Sequence, residues 1–233
     1  MLRAFEFVDG VLRGAALRGA AHEPRPVGLW SGLAVVAAGG VVYGGVMGAF
    51  GGFGADRLLQ TVFSAVKVPL LLVVTTALAL PSFFVLNTLL GLRDDFPEAA
   101  RSVAVTQVAV AVVLAALAPY TALWYASTTD YHEALVFNAA MFAVASAAAQ
   151  WVLRRRYARL VARNRRHRVM LWVWLGAYAF VGIQMGWVLR PFVGQPHARV
   201  TFFREESWGN AYVVVLETVW LAVKSLGPSA GPR

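Results

Sequence analysis

Five stretches of the chain are near-continuous apolar runs separated by short polar breaks: residues 28–50, 68–90, 103–124, 134–153 and 169–189. Each has the roughly 20 apolar residues that a helix needs to cross about 30 Å of hydrocarbon. The segments outside them are patterned differently. At the N-terminus Leu2, Phe5, Val8, Leu12 and Ala16 share one helical stripe, while Arg3, Glu6, Asp9, Arg13 and Arg18 lie elsewhere. That periodicity fits an amphipathic helix in the membrane interface or one packed on the adjacent loops. Pro24 and Pro26 then form a linker. Residues 56–67 form a short, mostly apolar segment expected along the interface. Residues 210–224 are apolar but few, with Glu217 at their centre, which favours a surface helix over a sixth span. The expected fold is all-α, a polytopic transmembrane helical bundle of five spans (six if 210–224 crosses). It divides into an N-terminal segment (1–27), the span region (28–189) and a tail (190–233).

Two features inside the spans bear on packing. Gly40, Gly44, Gly48 and Gly52 recur every four residues, which bares one helix face for close approach by another helix. The sequence leaves open whether that helix belongs to this chain or to a partner. Pro81 removes a backbone donor and crowds the carbonyl four residues back, so a kink is expected over 77–81, with Thr75, Thr76 and Ser82 near the freed groups. Thr106 and Gln107 are candidate interhelical hydrogen-bond partners, Asn87 is a candidate helix cap or neighbour contact, and Thr75, Asn138 and Gln184 are further polar residues within the runs.

Composition reinforces the membrane assignment. The 233 residues are 59% hydrophobic and 14% charged, and mean hydropathy is +0.61. The net charge of +9 lies beside apolar runs and has no aromatic-interleaved basic domain, so nucleic acid is not an expected partner. Eight arginines, Arg154, Arg155, Arg156, Arg159, Arg163, Arg165, Arg166 and Arg168, stand between the fourth and fifth runs. With five spans, the side carrying them and the N-terminus holds 14 basic residues and the other side seven, while the acidic residues divide evenly. The positive-inside rule then puts the N-terminus in the cytoplasm and the C-terminal tail outside. The arginines are therefore read as topology determinants, with anionic phospholipid as a natural contact.

Catalytic chemistry is hard to find. There are no cysteines, and the estimated spans contain no Asp, Glu, Lys, Arg or His, which argues against ion-coupled transport. His132 and Glu133 begin like a zinc-protease helix, but Val136 stands where the second histidine belongs. No catalytic residue, metal or cofactor is expected. The most distinctive stretch follows the fifth run, where Arg190, Phe192, Arg204, Trp208 and Asn210 mark a segment with three readings: a pocket for an anionic ligand, a docking surface for an outer partner, or the protein's own cap. A guanidinium there can snorkel to headgroups or hold an anion with two hydrogen bonds.

Three stretches taken together resemble a family of uncharacterised bacterial polytopic membrane proteins. They are Lys67-Val-Pro-Leu-Leu71 with Leu80-Pro-Ser-Phe-Phe-Val-Leu-Asn87, Gly186-Trp-Val-Leu-Arg-Pro-Phe-Val-Gly194, and Phe202-Phe-Arg204 with Gly209-Asn-Ala-Tyr212. The five-span layout is also distantly similar to Yip1-type proteins. The resemblance implies a bacterial inner (cytoplasmic) membrane location and supplies no catalytic residue. The expected function is that of a non-catalytic inner-membrane subunit that packs in, or helps assemble, a larger complex with other membrane proteins. The alternative is a small permease or channel for a neutral or lipidic solute, using the Pro81 break and the polar residues in the spans.

Overall fold

The computed structural model describes residues 29–52, 55–194, 200–203 and 213. The amphipathic helix expected in 1–27 and the short helix expected in 210–224 fall outside the described residues, Val213 excepted. Within them the fold is all-helical and carries five helices long and apolar enough to cross a membrane. We number them α1 (Leu29–Gly48), α2 (Ala55–Leu89), α3 (Phe96–Ser127), α4 (Tyr131–Arg163) and α5 (Arg166–Val188), with a 3-10 turn over Arg93–Asp95.

Three of these helices outrun their apolar cores. α2, α3 and α4 have 35, 32 and 33 residues, about 50 Å at 1.5 Å per residue, against a hydrocarbon layer of about 30 Å. The segment 56–67 is accordingly not a separate interface element. It forms the first turns of α2, because nothing between Arg57 and Val68 breaks helical geometry. α2 also stays helical through Pro69 and Pro81. The arginine stretch is mostly helix too: α4 runs to Arg163 and α5 starts at Arg166, leaving a two-residue turn.

Helix starts follow local chemistry. Asp130 caps α4 by accepting the backbone N–H groups of His132 (2.7 Å) and Glu133 (3.1 Å), and Pro97 sits in the first turn of α3, where a missing N–H costs nothing. These two bonds favour the carboxylate and hold Asp130 below its ordinary acid range. A depressed folded-state value stabilises above the unfolded pKa of about 3.9 and is lost as pH falls through the folded one. Amide exchange at His132 and Glu133, corrected for its intrinsic rate, should therefore lose protection under acid conditions, and Asp130→Ala should show that loss already at neutral pH.

α3 is the most enclosed helix. α1 packs along α2 and α3, α4 packs on α3, and α5 packs on α2. Two apolar clusters result. One joins Tyr43, Met47 and Phe50 to Val68, Leu72, Leu114, Ala145 and Val193. The other joins Phe83, Val103, Tyr157, Leu160, Met170 and Trp174 near the arginine turn. Phe83 meets Trp174 edge-on at 5.0 Å, which ties α2 to α5 there.

The connections sort into two ends. At the arginine end, Arg163 pairs with Glu98 (3.0 Å) and Asp95 (3.6 Å), Arg166 donates to the Leu90 carbonyl (3.0 Å), and His167 Nε2 lies 2.9 Å from Asp95. At the far end, Phe50 packs on Tyr125 and Tyr131, and the chain leaving α5 lies against α2.

Candidate functional site

The glycine face is used inside the bundle. A Cβ built on Gly44 falls on the Ser64 carbonyl oxygen, inside any allowed contact, and 3.0 Å from Ala65 Cα. One on Gly48 falls 2.7 Å from Thr61 Cα, and one on Gly40 falls 2.9 Å from Pro69 Cα. These glycines let α1 and α2 approach backbone to backbone. Gly39, on the neighbouring face, does the same towards Ala111 of α3, where a Cβ would lie 2.6 Å from its carbonyl oxygen. Gly52 is not part of the seam: it has φ +100° and open space around it, so it serves the turn after α1.

The close approach fixes the register of α1 against α2, and with it the depth of Lys67. Gly44 faces Ser64 and Gly40 faces Pro69, so Lys67 lies roughly 9 Å inward from the end of α1 at Gly48. Its side chain is fully buried. The second apolar helix runs continuously over Arg57–Leu89, so Lys67, which the sequence leaves at the edge of the second run, is a helix residue and not a loop cation. No carboxylate among the described residues pairs with it.

What Lys67 meets is the segment after α5. The α5 helix stops at Val188, and the chain continues through Arg190, Pro191, Phe192, Val193 and Gly194 as a non-helical strap beside α2. Non-helical backbone in or near a bilayer must find donors within the protein. α2 supplies them from Arg57, Gln60, Ser64 and Lys67, spaced three, four and three apart and so on one helical face. Lys67 Nζ donates to the Pro191 carbonyl at 2.8 Å and lies 4.8 Å from the centre of the Phe202 ring. Gln60 Nε2 reaches the carbonyls of Phe192 (3.2 Å) and Pro191 (3.4 Å), Ser64 Oγ also donates to Phe192, and Arg57 reaches Gly194 at 3.5 Å. A Cβ on Gly194 would fall 2.8 Å from Gln60 Cγ, so a larger residue there would have to displace the Gln60 side chain. Arg190 and Phe192 are thus part of a cap on the bundle. Arg204, Trp208 and Asn210 lie outside the described residues.

A second polar group sits nearby between α1, α3 and α4. Tyr43 Oη donates to Asn138 Oδ1 (3.0 Å), and Asn138 Nδ2 donates to Tyr125 Oη (2.5 Å) and to the Ala134 carbonyl (2.7 Å). Tyr125 in turn donates to the Met47 carbonyl at 3.4 Å, and Thr121 donates to Tyr43 at 3.5 Å. Further in, Tyr178 of α5 donates to Gln107 of α3 at 2.9 Å. Other buried polar atoms have no hydrogen-bond partner: Thr75 Oγ1, Asn87 Oδ1, Tyr157 Oη and His167 Nδ1.

The arginines lie in the last turns of α4, in the turn after it and at the start of α5. Arg155 stacks on Trp151 with its guanidinium carbon 3.4 Å from the ring centre, and Arg154 lies 5.6 Å from that of Trp172. No family model, curated protein or solved structure matches this chain.

Proposed function

We propose that the chain is a non-catalytic integral membrane subunit that packs in or helps assemble a larger membrane complex, with the arginine end in the bacterial cytoplasm. The carrying observation is how the buried polar side chains are used. Tyr43, Asn138 and Tyr125 bond to one another, Gln107 bonds to Tyr178, and the polar stripe of α2 bonds to the strap. These contacts join helices and line no continuous polar route: along the buried face of α2, Leu72, Ala79 and Phe83 separate Lys67, Thr75 and Asn87. The contact with neighbours falls to the lipid-facing surface of α5, the least enclosed helix, where Trp172 and Ile183 are exposed. The glycine face is not available for it.

Extraction from the native membrane in mild detergent, followed by mass measurement, should give a species heavier than one chain with at least one stoichiometric protein partner. A stable 25.2 kDa monomer with nothing bound would sink the proposal. A permease for a neutral or lipidic solute is the second reading, favoured by Lys67 buried in a span above the unpartnered Thr75 and Asn87 oxygens. Solute flux in proteoliposomes containing the purified chain would establish it.

A further inference from the structure

The arginine end holds a group of cations that the packing of the bundle does not use. α3 and α4 are joined by a short turn over residues 128–130 and run antiparallel, and at their other ends Arg163 pairs with Glu98 at 3.0 Å. That pair sets the register of the two helices. Four and seven residues back from Arg163, and so on the same face of α4, stand Arg159 and Arg156; three residues on from Glu98 along α3 stands Arg101. The outermost turn thus sets arginine against glutamate, and the next turns inward set arginine against arginine.

The three lie close enough that Arg159 and Arg101 both repel the charge on Arg156. None of them has a hydrogen bond or ion pair among the described residues, and all three are exposed. The carboxylates of this end do not neutralise the group. Residues 93–101 and 154–168 together hold ten arginines and three acids, so cations remain in excess with every acid charged. Two of those acids, Asp95 and Glu98, sit with Arg163 and His167, about 6 Å further out along α4 than Arg159.

Depth selects the ligand. Arg101 lies two residues before the third apolar run and Arg156 three residues after the fourth, about 3 Å and 4.5 Å along their helices. Trp151 and Trp172, exposed and with Arg155 and Arg154 beside them, mark the membrane interface near the same level. This is the layer of lipid phosphates, and a phosphate offers several acceptor oxygens to guanidiniums from two helices. We propose that Arg101, Arg156 and Arg159 form a phosphate site between the ends of α3 and α4, filled by the headgroup of an anionic phospholipid. Bound phosphate relieves the repulsion among the three guanidiniums, which is otherwise destabilising for like charges one turn apart on a helix, and it ties α3 to α4.

The test compares the full chain with two variants of equal net charge, Arg101→Gln/Arg156→Gln in the site and Arg165→Gln/Arg168→Gln in the turn and α5. In native mass spectrometry from mixed micelles containing phosphatidylglycerol, the site variant should retain about tenfold less of the lipid than wild type, and the control variant should lose less than about twofold. All four substituted residues are exposed, so neither variant disturbs the core. In lipid-free detergent the site variant should melt at or above wild type, because repulsion is relieved. Added phosphatidylglycerol should then raise the melting temperature of wild type and of the control but not of the site variant. Equal lipid loss in the two variants would reduce the site to unspecific charge and overturn it, as would retention by the site variant equal to that of wild type. Inorganic phosphate alone is the second arm: if it stabilises the lipid-free wild type as much as phosphatidylglycerol does, and leaves the site variant unchanged, the phosphate comes from solution and the lipid assignment falls.

Discussion

Gly44→Ala should unfold or severely destabilise the bundle, whereas Gly45→Ala, one residue away, should leave it as stable as before or slightly more so. The added methyl at Gly44 falls on the Ser64 carbonyl oxygen and 3.0 Å from Ala65 Cα. Both are backbone atoms of a helix held by its own hydrogen bonds, so no rotamer change relieves the clash and α1 must move off α2. Overpacking of cores typically costs about 1–3 kcal/mol, and a backbone-to-backbone clash belongs at the upper end or beyond. The movement also loosens contacts further along, because Gly40 and Gly48 depend on the same approach and the register that sets the depth of Lys67 is fixed by it. At Gly45 a Cβ meets nothing within 4 Å, and alanine is favoured over glycine in a helix by about 1 kcal/mol. Thermal unfolding of both variants in the same detergent, followed by circular dichroism, measures the contrast. If Gly44→Ala melts within a degree or two of wild type, the internal seam is wrong.

The seam illustrates which parts of the structure the sequence discloses. Five spans and their short connections are legible because bilayer thickness imposes a length on apolar runs, and that length does not depend on tertiary contacts. The four-residue glycine period is legible for a similar reason, since it reflects helix geometry alone. Its partner is not, because bare backbone is equally suited to a helix from this chain or another. Only the structure puts α2 against it.

Lys67 shows the opposite failure. Hydropathy places it at the edge of the second run, and an edge lysine reads as a loop cation. Helical continuity from Arg57 makes it the inner member of a donor row with Gln60 and Ser64. The 57, 60, 64, 67 spacing was a readable signal, but it has meaning only once the segment is taken as helix. The strap's stretch stands out in the sequence and a cap is one of its three readings, but its partners on α2 are not legible there, since its bonds join residues more than 120 positions apart. His167 was hidden in the same way: its partner Asp95 lies across the bundle, in the turn between α2 and α3.

Asn138→Leu should be the most damaging single change among the polar residues of the bundle, and its rescue should identify the reason. Asn138 is almost completely buried and uses both ends of its amide, accepting from Tyr43 and donating to Tyr125 and Ala134. Leucine has the same branched outline but larger methyl groups, so the loss combines a polar part with some overpacking. Two phenol hydroxyls on α1 and α3 then lose their partner on α4, Tyr43 retaining only a 3.5 Å contact from Thr121 and Tyr125 only a 3.4 Å bond to Met47. Interhelical hydrogen bonds in membrane proteins average about 0.6 kcal/mol, but a stranded buried polar group costs about 1–3 kcal/mol. The expected loss for the single variant is therefore about 2–4 kcal/mol. The same asymmetry predicts that removing the stranded groups reverses much of the damage, since replacing both partners of a buried hydrogen bond by apolar groups is close to neutral. The triple variant Tyr43→Phe, Tyr125→Phe, Asn138→Leu should accordingly be more stable than Asn138→Leu alone, although it carries two more substitutions. Unfolding of the four relevant proteins in one detergent, wild type and Tyr43→Phe/Tyr125→Phe included, separates the polar cost from packing. If the triple variant is the least stable of the four, the amide acts through its shape and the hydrogen-bonded network does not join the helices.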